Sequence, residues 1–226
     1  RAEGIAFDWL IGELFNDRKV AIGDMSPNNV LVDVEMMEAV DDYLVIAKRL
    51  NDPRLERPVD LSFLVQGQTG RIDLSSIDYQ NGVIDIIDAK YGHTYVDEFE
   101  NYQLLIYALG IYELLNLDES SELCWTFNLS IFQPRVYGVD GTFRTWTVNG
   151  ADLVKWKEVV TNAVERGQDG DAGCKTGNHC TKCNARHACS AYARDLYRGL
   201  GYLDDSVAME LHGEALGIEY KLLKHF

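Results

Sequence analysis

A chain of 226 residues, 46% hydrophobic and 25% charged, can bury one sizeable core and has the make-up of an ordinary soluble globular protein. Twenty-one basic against 36 acidic residues give a net charge of −15, which argues against a broad, nonspecific grip on nucleic acid phosphates. No apolar run is long enough to span a bilayer and no signal-peptide pattern opens the chain; it starts at Arg1, which leaves room for an upstream segment.

Ile5, Trp9, Leu10, Leu14 and Phe15 recur at helical spacing and predict an amphipathic helix over 2–16. A second helix is expected over 35–51, with Met36, Met37, Val40, Tyr43, Leu44, Ile46 and Ala47 on its apolar side and Asp52-Pro53 closing it. From Pro58 to Asp88 the pattern becomes strand-like: Val59, Leu61, Phe63 and Val65 alternate, as do Val83, Asp85 and Ile87 against their neighbours. Asn81-Gly82 is a tight hairpin signal between two strands. Helix returns over 97–115, where Asp97 and Glu100 have capping-box spacing. Strands follow over 124–134 and 142–148, then a break at Asn149-Gly150 and a helix over 151–166. A Gly/Asp-rich loop, 167–173, leads to a cysteine knuckle, a short helix over 185–198 and a tail with helical character over 214–223. The order α-α-β-β-β-α-β-β-α fits an α/β fold, a mixed sheet flanked by helices. Two parts are expected: a core over 1–166, and a cysteine segment with C-terminal helices over 167–226.

Three short motifs carry the chemistry. Gly70-Arg71-Ile72-Asp73 ends one strand-like run. Asp88-Ala89-Lys90 ends the next, after Val83-Ile84-Asp85-Ile86-Ile87, and is followed by Tyr91-Gly92. Gln103 and Tyr107 lie four apart on one helix face. Two carboxylates and a lysine converging from neighbouring strands can bind a divalent cation and activate a water. Taken singly, Asp73 and Asp88 could be solvated or capping acids, and Gln103 and Tyr107 plain helix residues. Asp85, three before Asp88, points to the opposite strand face, and Asp78 falls beside the turn.

In this order and spacing the motifs resemble those of the PD-(D/E)XK nuclease superfamily, most of all its RecB-type branch, which includes the CRISPR-associated four-cysteine nucleases, the AddB nuclease domain and related phage exonucleases. The resemblance covers roughly residues 1–195 and implies a restriction-endonuclease-like core. It implies that Asp73 and Asp88 ligate Mg²⁺ or Mn²⁺, with the Ala89 carbonyl as a further ligand. It implies that Lys90 polarises the attacking water, and that Gln103 and Tyr107 position DNA or water. The family usually carries a metal-binding His on its first helix. Glu3-Gly4-Ile5-Ala6-Phe7-Asp8-Trp9 occupies that place, with Asp8 where the His is expected. A carboxylate suits hard cations, so Asp8 is a candidate ligand; an ordinary solvated helix acid is the alternative.

Four of the five cysteines fall within sixteen residues, as Cys174-x5-Cys180-x2-Cys183-x5-Cys189. That clustering reads as a metal or cluster site in a reducing compartment rather than a disulfide framework, and Cys₄ suits zinc or a [4Fe-4S] cluster alike. The resemblance favours iron–sulfur, because related nucleases staple their C-terminal segment with such a cluster using the Cys-x2-Cys-x5-Cys spacing of Cys180, Cys183 and Cys189. Their fourth cysteine lies before the first helix; here Cys174 takes its place and zinc stays open. Cys124 reads as a buried strand residue. Lys175, Lys182, Arg186, Arg194 and Arg198, with His179 and His187, stand against Asp195 alone and make a local basic stripe, which could hold a nucleic acid strand or be solvated surface.

Together these features lead to the expectation of a metal-dependent DNA nuclease. Exonuclease action, a phage recombination, repair or replication setting, a bacterial cytoplasmic location and a recombination or single-strand-binding partner rest on the resemblance. The rivals are a structure-selective endonuclease, a catalytically weak DNA- or protein-binding module, and a zinc-dependent interaction protein.

Overall fold

A computed structural model describes residues 1–117, 125–136 and 141–204. Cys124 and the helix expected over 214–223 lie outside the described residues. The chain divides into two units, 1–165 and 166–226.

The first unit is built on a five-stranded sheet: β1 (Arg54–Asp60), β2 (Thr69–Asp78), β3 (Val83–Ala89), β4 (Thr126–Phe132) and β5 (Phe143–Asn149). The strands lie in the order β1-β2-β3-β4-β5. All neighbours run antiparallel except β3 and β4, which are parallel. A parallel pair needs a crossover connection, and α3 (Tyr102–Leu114) supplies it. Helices α1 (Ala2–Phe15) and α2 (Val34–Ala47) precede the sheet, and α4 (Gly150–Gln168) follows it. This is a mixed α/β architecture with helices flanking a central sheet.

Two apolar clusters hold it together. In one, Phe7, Leu10 and Ile11 of α1 and Met36, Val40 and Tyr43 of α2 pack on Leu74, Ile87, Ala89 and Phe132 of the sheet. In the other, Leu104, Leu105, Ala108, Leu109 and Ile111 of α3 and Leu153 and Val160 of α4 pack on Ile72, Ile84, Ile86, Phe127 and Leu129. The inner strands β3 and β4 are therefore covered on both sides, which is why Val83-Ile84-Asp85-Ile86-Ile87 reads as a near-continuous apolar run.

The elements depart from the sequence expectation in three places. The first strand starts at Arg54, earlier than read, and ends at Asp60; the alternating Leu61, Phe63 and Val65 lie in the turn region that follows. There Asp60 accepts from the Ser62 backbone and hydroxyl, an Asx turn that ends the strand. Helix α3 is capped by Asn101, whose Oδ1 accepts from the Gln103 and Leu104 N–H groups, and not by Asp97. Asp97 serves the turn before it, accepting from Phe99 N. Near the C-terminus, the segment expected to be one helix from 185 begins as a 3₁₀ turn, Arg186–Ala188, and becomes the helix α5 (Ser190–Asp204) only after Cys189.

Candidate active site

The middle of β2, the C-terminal end of β3 and the first turn of α3 bring the motif residues together, so Gly70–Asp73 opens its strand rather than ending one. Asp88 is 3% exposed, at the C-terminal end of β3. Its Oδ2 lies 2.6 Å from Lys90 Nζ, and its Oδ1 accepts from Gln103 Nε2 at 2.7 Å. Lys90 Nζ reaches Gln103 Oε1 at 3.4 Å, so the three side chains form a closed set. The Asn101 cap fixes the helix start that carries Gln103. Lys90 N donates to Phe132 O at 2.8 Å, which pins the lysine backbone to the end of β4. Asp73 enters from β2, and its Oδ2 accepts from Ala89 N at 2.8 Å.

Tyr107 has a packing contact within the motif set. Its ring packs on the core beside Gly70: a Cβ at Gly70 would stand 2.7 Å from Tyr107 Cε1 and within 3.2 Å of Val59 and Leu61. The glycine of Gly-x-x-Asp thus makes room for the α3 tyrosine, linking two motifs through packing. Asp85 points away, as its spacing predicts, and accepts from Asn128 Nδ2 at 3.0 Å.

On the α1/α2 side, Asp8, Glu56, Asp73 and Ala89 line one small cavity of about 20 Å³ with Tyr43, Leu55, Ile11 and Gly12. Electrostatics reflects the crowding of acids. Asp8 keeps solvent contact, yet desolvation, with repulsion from Asp73, Glu56 and Asp88, raises its carboxyl to about 7. Desolvation also lifts Asp88 to about 6, against the pull of Lys90. Asp73 is raised by burial, and the Ala89 N–H and Lys90 offset part of the rise.

A divalent cation is the group such a site implies. Its donor set is hard oxygen, which suits Mg²⁺ or Mn²⁺. Asp88 Oδ2 is buried with no hydrogen bond of acceptable geometry, its contact with Lys90 being an ion pair only. Among the described residues no three His, Cys, Asp or Glu side chains are gathered closely enough to form a finished coordination shell. The fit therefore lies in donor chemistry and in acids whose mutual repulsion a cation would relieve.

Residues outside the three motifs also build the site. Gln133 is fully buried and its Nε2 donates to Gly92 O and Thr94 O at 2.9 and 2.8 Å, holding the loop that follows Lys90. Arg135 stacks 3.9 Å above the Tyr91 ring and pairs with Glu3 of α1 and Glu35 of α2. Tyr91 in turn stacks on Phe7 at 4.4 Å. Gln133 and Arg135 follow β4, far from the motifs in sequence, and Glu56 lies on a strand whose start the sequence reading missed.

In the second unit the four cysteines are free thiols; Cys180 is buried, Cys174 is exposed, and Cys183 and Cys189 lie between. Cys189 sits just before α5. Backbone N–H groups of Tyr192, then Ala191, push its thiol pKa down, opposed by desolvation. Cys174 is pushed up, chiefly by Cys189. Arg186 Nη1 donates to Thr181 O at 2.8 Å, bracing the turn that carries Cys183.

Fold and site together define a mixed-sheet α/β protein with a carboxylate–lysine centre at the strand ends. A family model described as "Protein of unknown function (DUF2800)" matches residues 13–211, and the chain belongs to that family. No curated protein matches. Among solved structures, it is similar to one named SSO0001 (15% identity, 69% of this chain and 68% of that one, TM-score 0.33). It is also similar to a protein from Eubacterium rectale provisionally named an exonuclease (11% identity, 82% and 72% covered, TM-score 0.38). No helix among the described residues is long and apolar enough to cross a membrane.

Proposed function

We propose that this chain is a metal-dependent deoxyribonuclease that hydrolyses phosphodiester bonds, acting as an exonuclease. The observation that carries the reading is the closed set of Asp88, Lys90 and Gln103 beside Asp73. Mg²⁺ or Mn²⁺, when bound, supplies a lowered water pKa and neutralises charge at the phosphate. Asp73, Asp88, Asp8 and the Ala89 carbonyl are the oxygens that would hold it. Asp88 pairs with the Lys90 ammonium and holds it beside the end of β3. Lys90, one-third exposed, is placed to hydrogen-bond the attacking water or the phosphate oxygen that gains charge. Gln103 fixes both partners through one amide, so neither turns away when DNA enters. Tyr107 contributes by seating α3 against Gly70, which places Gln103.

The four cysteines of the second unit hold a [4Fe-4S] cluster in this reading, and zinc is the other centre a Cys₄ set takes. The close spacing of Cys174, Cys180, Cys183 and Cys189 supports a ligand role. Protein purified without oxygen should show a broad visible absorbance band that bleaches on reduction. A colourless protein carrying one zinc assigns zinc instead.

The enzyme would process DNA ends in recombination, repair or replication in a bacterial or phage-infected cytoplasm, beside a recombination or single-strand-binding protein. The test is digestion of linear and covalently closed circular DNA with Mg²⁺ or Mn²⁺, with and without chelator. Loss of linear DNA alone, stopped by chelator, is expected. Cutting of circles makes the protein an endonuclease.

A further inference from the structure

Glu56 and Tyr43 are absent from the motif set, yet both line the cavity that holds Asp8, Asp73 and Ala89. The two arrive by unrelated routes. Glu56 comes from β1. Leu55 pairs with Leu74 and Arg57 with Ile72, which leaves Glu56 opposite Asp73 across the ladder. At this pair the side-chain alternation changes phase. Ile72 packs into the cluster under α3, but Leu74, two residues on, packs under α1 and α2. Val59 and Leu55 on β1 divide the same way. Glu56 absorbs the change with a φ of 52°, in the left-handed region that a side chain rarely adopts. A regular β1–β2 ladder would not need that geometry. The distortion turns both acids toward α1.

Tyr43 comes from the middle of α2. It is fully buried, and its hydroxyl has no hydrogen-bond partner. A buried hydroxyl without a partner is costly, and in a core of Phe7, Leu10 and Met36 a phenylalanine would serve as well. The ring is where packing wants it; the oxygen is explained only by what the cavity takes. A volume of about 20 Å³ matches one water-sized body with several polar neighbours. Those neighbours are carboxylates from α1, β1 and β2 and a hydroxyl from α2.

We propose that Glu56 is a further carboxylate ligand of the divalent cation at this centre, and that the Tyr43 hydroxyl hydrogen-bonds the solvent oxygen lodged between it and the acids. The inference rests on the metal-dependent reading above and adds two residues to it. Arg71 pairs with Glu56 Oε2. Both partners are exposed, so the pair is weak and yields to a divalent ion. The oxygen donors suit a hard divalent cation such as Mg²⁺ or Mn²⁺.

The experiment is calorimetric titration of the full chain with MnCl₂, beside thermal unfolding in chelator. Glu56→Gln should weaken Mn²⁺ binding by about 10- to 100-fold and Tyr43→Phe by about 10-fold, the range for losing a ligand-orienting group. Metal-free Tyr43→Phe should melt no lower than wild type, since the hydroxyl loses no partner. Exposed Glu38→Gln serves as the neutral control. Asp73→Asn separates this inference from the reading beneath it. If Asp73→Asn abolishes Mn²⁺ binding while Glu56→Gln and Tyr43→Phe bind like wild type, both added roles fall and the nuclease reading stands. If the variants weaken binding as stated but wild type cuts no DNA, the ligand roles stand and the nuclease reading falls. Should Glu56→Gln fail to fold, Glu56→Asp takes its place, and wild-type affinity there overturns the Glu56 role.

Discussion

Gln103 Nε2 donates to Asp88 Oδ1 at 2.7 Å, joining the first turn of α3 to the end of β3. The bond leaves Asp88 Oδ2 to the Lys90 ammonium alone, so one amide decides how the buried acid faces the lysine. Gln103→Ala should cut turnover by about 10- to 100-fold, as expected for a residue that orients a ligand, and should leave DNA binding in place. Single-turnover cleavage beside a binding assay in Ca²⁺ checks this. Equal loss in both would make Gln103 a DNA contact instead.

Asp8 and Asp88 titrate near 7 and near 6 rather than at 3.8. A carboxyl with a raised folded-state pKa binds protons more tightly folded than unfolded. Its contribution to stability is therefore complete below about 4 and is lost as pH rises toward 7. Metal-free protein should melt at a higher temperature near pH 5 than near pH 7.5. Saturating Mn²⁺ should flatten that slope, because the cation binds the ionised acids. Melting curves in chelator and in MnCl₂ across this range test it, and Asp8→Asn should remove part of the metal-free slope. A metal-free slope of opposite sign would contradict the environment described for both acids.

Gly70→Ala would place a methyl 2.7 Å from Tyr107 Cε1, between Val59 and Leu61. Overpacking of this kind costs about 1–3 kcal/mol. The double variant Gly70→Ala/Tyr107→Ala should cost less than the two singles combined, because removing the ring removes the clash. Denaturant unfolding of the four proteins measures the coupling, and strict additivity would show that the two motifs do not meet.

Arg135→Ala should destabilise the fold by about 1–2 kcal/mol through the lost stack on Tyr91. Its partners Glu3 and Glu35 are more than half exposed and rehydrate readily. Because Tyr91 follows Lys90 directly, cleavage should fall further than stability explains. Chemical denaturation beside a cleavage assay at a temperature where the variant is folded separates the two effects.

The motif residues were legible because their chemistry is written locally. Asp88-Ala89-Lys90 closes an apolar run that could only be a buried strand, and Gln103 lies within the first turn of a clear helix. Glu56 was not legible. It sits on an edge strand with exposed Arg54, Glu56 and Pro58, where one-sided burial leaves little apolar signal, and its role depends on a backbone φ that no side-chain pattern reports. Tyr43 reads as an apolar helix residue, and its ring is one; only the neighbours of its oxygen distinguish it from phenylalanine. Gln133 reaches Thr94, 39 residues away, and Arg135 reaches Glu3, 132 residues away, and local spacing does not report such contacts. The Leu61, Phe63, Val65 alternation misled for the converse reason: Leu61 and Phe63 pack on the core from a turn whose shape Asp60 and Ser62 set by local hydrogen bonds, and Val65 is exposed.

Hydrolysis of end-labelled linear DNA in Mg²⁺ or Mn²⁺ by the wild-type chain and by Lys90→Ala tests the nuclease assignment. The wild type should release short products stepwise, and the variant should lose about 10²-fold or more, because it lacks the charge aimed at the reacting phosphate. Both proteins should fold and bind Mn²⁺. Cleavage that survives the substitution, or a folded, metal-binding wild type that cuts neither linear nor circular DNA, would contradict it.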